Sequence, residues 1–383
     1  MRKLISYEMQ EMFVGSEGAF EPSKNTGQYV SRLDFIQNYG FNFSVNRQPL
    51  KQIGSSAFAS RQSQLAPDVS FKLDYLLNDG WNEKYLGLDV SNSSYSNPLS
   101  TIFSSTGDRN FYVLIAQDQR EDIAAATNAD GFNVLGIGNA FIGSYSIQLG
   151  INDLAKVSCE FVGANASITN YSADNYLPSV NTVSTGQTAT GKFGIDFYDS
   201  SRSTRVATGF KGVFDNGCYS AGASISAEAV YGGSGVAFGH VFENFTSFSL
   251  QLGLERKALY GFGSNYPTTR KIQKPVVATV SLESTVESFS AENLAQKLQQ
   301  ENLTVSGYNF DVLFRDAQSN PKLGIKIQNA FLDSYSINPQ IGGAATIQTN
   351  WSFEVSESTG ILMSGSYSQP SLSAIYTNES INP

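Results

Sequence analysis

Apolar and polar residues alternate over many short stretches of this chain. Phe41, Phe43 and Val45 are each separated by one residue, and so are Val69, Phe71 and Leu73. A period of two marks a strand with one face on a core, because successive side chains of a strand point to opposite sides. Leu250, Leu252 and Leu254 follow the same rule, then Ala278, Val280 and Leu282. Phe193, Ile195 and Phe197 alternate too, with a weaker alternation at Ala223, Ile225, Ala227 and Ala229. Residues 111–116 and 310–314 predict buried strands. Helical spacing is rare. Ser290 precedes 291–301, where Leu294 and Leu298 stand four apart, predicting one short amphipathic helix with a serine N-cap. A weaker helix is predicted over 82–88, ending at Gly87.

The pattern occurs twice. Asn139-Ala140-Phe141-Ile142-Gly143-Ser144-Tyr145-Ser146-Ile147 returns as Asn329-Ala330-Phe331-Leu332-Asp333-Ser334-Tyr335-Ser336-Ile337, 190 residues later. From Ile137 to Phe161, ten of 25 positions are identical at that offset. Upstream, at an offset of 209, Arg47, Leu50, Gly54 and Arg61 recur as Arg256, Leu259, Gly263 and Arg270. Between these blocks, Asn110-Phe111-Tyr112-Val113-Leu114 resembles Asn309-Phe310-Asp311-Val312-Leu313 at offset 199. Matches in one order imply a doubled unit, whose first copy carries about 19 extra residues in its middle. Each copy predicts a strand, a loop of about 20 residues, a second strand, a helix, a buried strand and a final strand pair. The organisation expected is an arm at 1–30, copy one at 31–172, a β-rich insertion at 173–238, copy two at 239–368 and a tail at 369–383.

Charged residues are only 15% of the 383, so Ser, Thr, Asn and Gln must supply most of the polar surface. Aromatic residues at 12% and hydrophobic ones at 41% support packed β-cores and argue against disorder. The net charge is −9 and no basic stripe exists, which disfavours conventional nucleic-acid binding. A single histidine, His240, excludes multi-histidine metal sites and leaves little room for imidazole catalysis. Cys159 and Cys218 lack the spacing of a redox or zinc motif; two buried thiols are expected. Residues 1–13 lack the apolar centre of a signal peptide, and no run reaches membrane-spanning length, so a protein made and used without secretion is expected.

Gly136-Ile137-Gly138 looks like a phosphate-cradling loop, but a strand and not a helix follows, so a structural turn is expected. Asp118, Glu121 and Asp122 form a polar run expected at the solvated surface, and Asp74, Asp79 and Asp89 lack calcium-loop spacing. No catalytic residue, cofactor site or metal site is predicted. The duplicated Arg47, Arg61, Arg256 and Arg270 are the candidates for function. Such arginines can brace a long loop through their stems and nearby carboxylates. They can also make bidentate contacts across a subunit interface, and the interface is the role expected here.

The strand order, early loop, helix and repeated Asn-Ala-Phe…Ser-Tyr-Ser-Ile hairpin, over about 41–165 and 240–356, resemble the tail tube proteins of long-tailed bacteriophages. That resemblance implies a mainly β protein, two tandem tube-like β-sandwich domains, each with a short helix and a long loop. It implies three chains closing a pseudo-hexameric ring, with stacked rings forming a tube that conducts DNA, and the loop reaching a neighbouring ring. Its implied partners are further copies of the chain, tape-measure and other tail proteins, and genomic DNA passing without specific binding, all within the virion. A tail-tip hub or tube initiator with the same doubled domain is the alternative. A carbohydrate-binding or carbohydrate-acting β-protein is another, and it calls for exposed Trp; only Trp81 and Trp351 exist, and Trp351 is expected in the core.

Overall fold

The structure is a computed structural model. It describes residues 10–16, 31–45, 47–51, 53–54, 56, 58–63, 67–92, 94–103, 108–116, 132–150, 153–163, 165–171, 223–229, 245–260, 267–285, 307–315, 321–338 and 345–366. The expected helix at 291–301, the strand around Phe193, His240, Cys218 and the 118–122 run lie outside the described residues.

Within the first copy, β1 (Gln10–Ser16), β2 (Ser31–Arg32), β3 (Ile36–Ser44), β4 (Arg47–Lys51), β5 (Phe58–Ser63) and β6 (Asp68–Leu76) come first. Then follow α1 (Trp81–Leu86), β7 (Ser91–Asn92), α2 (Ser100–Phe103), β8 (Arg109–Ala116), β9 (Phe132–Gly150), β10 (Lys156–Gly163) and β11 (Asn165–Tyr171). The second copy has β12 (Ala223–Ala229), β13 (Phe245–Gly253), β14 (Arg256–Tyr260), β15 (Pro267–Ile272), β16 (Val276–Thr285), β17 (Tyr308–Arg315), β18 (Pro321–Asn338), β19 (Thr346–Val355) and β20 (Ile361–Gly365). The chain is mainly β, as its alternation predicts.

Each copy is two packed sheets. In the first, β3, β6, β10 and the second half of β9 form one layer, and β1, β8, the first half of β9 and β11 form the other. Pairing registers recur at the sequence offsets. Phe41 opposite Phe71 becomes Leu250 opposite Val280, and Ile147 opposite Val157 becomes Ile337 opposite Ile347. Register is tightly specified because a one-residue slip would turn every core side chain outward. The layers meet through aromatic edges. Phe111 and Phe161 pack with centroids 4.7 Å apart, and their counterparts Phe310 and Trp351 at 4.9 Å. Trp351 is thus core, as expected, and Trp81 is buried as well.

Two expected boundaries shift. The N-terminal arm contributes β1, which pairs with β8, and the 173–238 insertion contributes β12, which pairs with β17 in the matching register. Phe13 opposite Tyr112 corresponds to Ser226 opposite Asp311. Both segments therefore supply the first strand of their own copy. The equivalence is not visible in the sequence because β1 and β12 share no identical residue in the matched register. The Gly136–Gly138 glycines, expected at a turn, lie inside β9.

The repeated Asn-Ala-Phe motif marks where β9 and β18 pass from one layer to the other. Asn139 and Asn329 have φ of 49° and 55°, left-handed values that asparagine tolerates better than most residues. The Asn139 amide donates to Asn110 Oδ1 at 2.9 Å, and the Asn329 amide to Asn309 Oδ1 at 3.1 Å. Helix α1 matches the weaker predicted helix. Its N-terminal Trp81 amide donates to Asp79 Oδ1, and left-handed Gly87 closes its other end.

Candidate functional site

The two copies do not sit as separate beads. Strand β13, the edge of copy two's β13–β16–β19 layer, pairs with the second half of β9 from Ser247 opposite Gly150 to Gly253 opposite Ser144. The layers fuse into one sheet in the order β3-β6-β10-β9-β13-β16-β19-β18. At this joint Phe248, Leu250 and Leu252 meet Tyr145 and Ile147, and all five are completely buried. Joining the edges satisfies backbone groups and removes apolar area from water together.

Each strand of the joint has a duplicate at an end of the fused sheet. Strand β3 duplicates β13, and the second half of β18 duplicates that of β9. Among the described residues, β3 pairs only with β6, and residues 331–338 pair only with β19. Their inward side chains are correspondingly uncovered. Phe43, the counterpart of Leu252, is 45% exposed, and Ile337, the counterpart of Ile147, is 50% exposed. Tyr39, Phe41 and Tyr335 are only partly buried against the core. One end thus presents a strand that duplicates β13, and the other an edge that duplicates its acceptor.

The predicted arginines lie at the bases of hairpins β4–β5 and β14–β15, with Arg47 opposite Ser63, Arg61 opposite Pro49 and Arg270 opposite Ala258. Arg256 and Arg270 bridge the copies. The Arg256 guanidinium carbon lies 4.4 Å above the ring centre of Phe141, and Arg256 donates to the Ile102 and Arg270 carbonyls. Arg270 donates to the Val162 and Gly163 carbonyls at 2.8 and 3.0 Å, its guanidinium carbon 5.8 Å from the Phe141 ring centre. Burial pushes Arg256 down to about 10, against the upward pull of Asp108. The guanidinium stays charged at neutral pH, and its carbonyl partners make charge-assisted bonds. Arg47 is exposed along with all of β4. The Arg61 side chain lies outside the described residues.

The extra middle of copy one adds a second bridge, which no local pattern in the chain announces. Ser96 exchanges backbone hydrogen bonds with Met363 at 2.9 and 2.7 Å, and Asn97 Nδ2 donates to the Ser356 carbonyl at 2.8 Å. Residues Ser91–Asn92 run parallel to Ser364–Gly365, and Lys326 lies 4.5 Å over the Tyr95 ring.

Inside copy one, α1 carries a buried carboxyl. Glu83 accepts from Tyr75 Oη at 2.8 Å and Tyr145 Oη at 3.3 Å, and burial raises it to about 7. Glu83 and Tyr145 are fully enclosed, so the cluster is closed to a substrate. Among the described residues, no group of three or more His, Cys, Asp or Glu side chains is placed to hold a metal, and no helix is long and apolar enough to cross a membrane. The face of the fused sheet opposite the core is mostly polar, with Val162, Val277 and Phe331 as its exposed apolar residues. It carries Asp68, Asp74, Glu160, Glu283 and Glu354 against Lys72 and Lys156.

No protein-family description matches this chain. No curated protein matches it either. Among solved structures, it is similar to a chain of one described as "Cryo-EM structure of the anti-feeding prophage (AFP) baseplate, 6-fold symmetrised", at 13% identity and a TM-score of 0.28. The match covers 37% of this chain and 91% of that one.

Proposed function

We propose that this chain is a non-enzymatic, ring-forming virion structural protein of the bacteriophage tail-tube type. The observation that carries the reading is the unequal fate of duplicated strands: β13 on β9 is a closed joint, while β3 and the end of β18 are its two open halves. A strand edge presenting apolar side chains is a liability unless it is paired. Pairing β3 of one chain with β18 of the next repeats the internal joint, and a repeated head-to-tail contact closes a ring when its rotation permits. Three chains then supply six copies. The fused sheet is continuous and forms the inner barrel. Among the described residues, the second layers meet only through the short contact of residues 91–97 with β20, which suits the larger outer circumference. The polar face, with its acidic excess, then lines the lumen and repels DNA phosphates. Both tryptophans are buried, which removes the stacking platforms a carbohydrate-binding role calls for.

The test is mass photometry and negative-stain electron microscopy of the full chain over a concentration series. A species at three times the 41.5 kDa of one chain, seen as a ring, is expected. Stacked rings forming hollow tubes support the tube itself, and rings that never stack assign the chain to a hub or initiator. A monomer at all concentrations overturns the reading.

A further inference from the structure

Building on that ring, we infer that Phe331 is the docking platform for Arg47 of the next chain, an arginine–aromatic clamp that locks each chain-to-chain joint. The template is the internal clamp, where Arg256 lies 4.4 Å over Phe141. Arg47 precedes Arg256 by 209 residues and Phe331 follows Phe141 by 190, the offsets that relate the open strands to the joined ones. Those offsets reproduce strand register on both sides of the clamp, since Arg47 opposite Ser63 matches Arg256 opposite Ile272.

Presentation is reproduced as well. Asn329 bends β18 with a φ of 55°, as Asn139 bends β9 at 49°, so each phenylalanine emerges two residues beyond the same kink. What differs is the cover. Phe141 is half-buried beneath the arginines, whereas Phe331 is 43% exposed. Asn139 is buried and Asn329 is exposed in the same way. The β4–β5 hairpin shows the complementary difference, with every residue of β4 exposed while Arg256 and Ala258 of β14 are partly covered. One end holds an uncovered ring and the other an exposed guanidinium, and the joint between them brings the two together. The resemblance assigns the loop to a neighbouring ring; the internal clamp instead turns the hairpin base to the neighbouring copy within the same sheet.

The external clamp also differs from the internal one. Arg256 gains the Ile102 carbonyl from the middle segment of copy one, where the offset falls from 209 to 199 and the second copy is ten residues shorter. The two copies of one chain are also joined covalently and by the Ser96–Met363 bridge, so rings come apart into folded chains before the copies separate.

The experiment measures ring dissociation of the full chain by mass photometry for Arg47→Ala, Phe331→Ala and the double variant. Each single change is expected to raise the dissociation midpoint about tenfold per joint, the scale of a partly desolvated cation–π contact. The double variant is expected to be no worse than either single, and Phe331→Tyr to restore assembly. Circular dichroism is expected to show all four variants folded, because both residues are exposed in the single chain. If rings form but the singles match the parent, or their effects multiply, the clamp is wrong while the ring stands. If the parent chain never assembles, ring and clamp fall together.

Discussion

Glu83 shows how one residue can set a pH dependence. Its carboxyl is raised from an ordinary 4.5 to about 7, chiefly by burial, with Tyr75 and Tyr145 hydroxyls pulling the other way. The folded state therefore holds a proton that the unfolded state has released, and stability falls as pH rises from about 4.5 through 7. Glu83→Gln keeps a neutral side chain at every pH. Relative to the parent, the variant is expected to gain on the order of 2–3 kcal/mol between pH 5 and pH 8, read from urea unfolding midpoints at both. Equal pH slopes for the two proteins would show that Glu83 ionises as an exposed carboxyl. Nothing in the order Trp-Asn-Glu-Lys-Tyr-Leu announces a buried acid. Its two tyrosine partners come from strands β6 and β9, which only the fold brings to the helix.

Among the elements, duplicated strands with different neighbours provide an internal control. Leu252 and Phe43 hold equivalent places in β13 and β3, but Leu252 is completely buried at the joint and Phe43 stands half open at the edge. Leu252→Glu places an uncompensated charge in the core and is expected to cost more than about 4 kcal/mol, enough to prevent folding of a marginally stable chain. Phe43→Glu is expected to shift the melting temperature of the single chain little and to abolish assembly, since an inward charge on an edge strand blocks pairing. Equal loss of folding in both variants would mean that β3 is covered within the chain. Strand existence was legible from period-two alternation. The roles of β1 and β12 were not, because a strand with few identities reveals its equivalence only through its partner, β8 or β17.

For the whole molecule, the internal joint dictates the external register. Leu252 lies opposite Tyr145 across the joint, so the duplicate pairing sets Phe43 of one chain opposite Tyr335 of the next. A Phe43→Cys, Tyr335→Cys chain treated with a short bifunctional thiol reagent is expected to give one closed covalent trimer. The single variants are expected to remain monomeric on a denaturing gel. An unclosed ladder of dimers, trimers and tetramers would show that the edges pair but the rotation does not close. Cys218 is replaced by Ser in all of these chains, and Cys159 does not interfere, since it is buried and burial holds its thiol well above its ordinary value.

Local order alone carries the β class, the doubling and the placing of the arginines in a duplicated loop, because strand alternation and repeated motifs are properties of neighbours along the chain. It does not carry which copies of a doubled element are buried. Phe141 and Phe331 stand in the same Asn-Ala-Phe motif, as Arg47 and Arg256 stand in the same loop. One of each pair is covered and the other is open because the chain has two ends: a head-to-tail contact between two copies uses one edge of each and leaves the other edges unused. That asymmetry arises when β13 meets β9 across about 100 residues of sequence, and no local pattern records it.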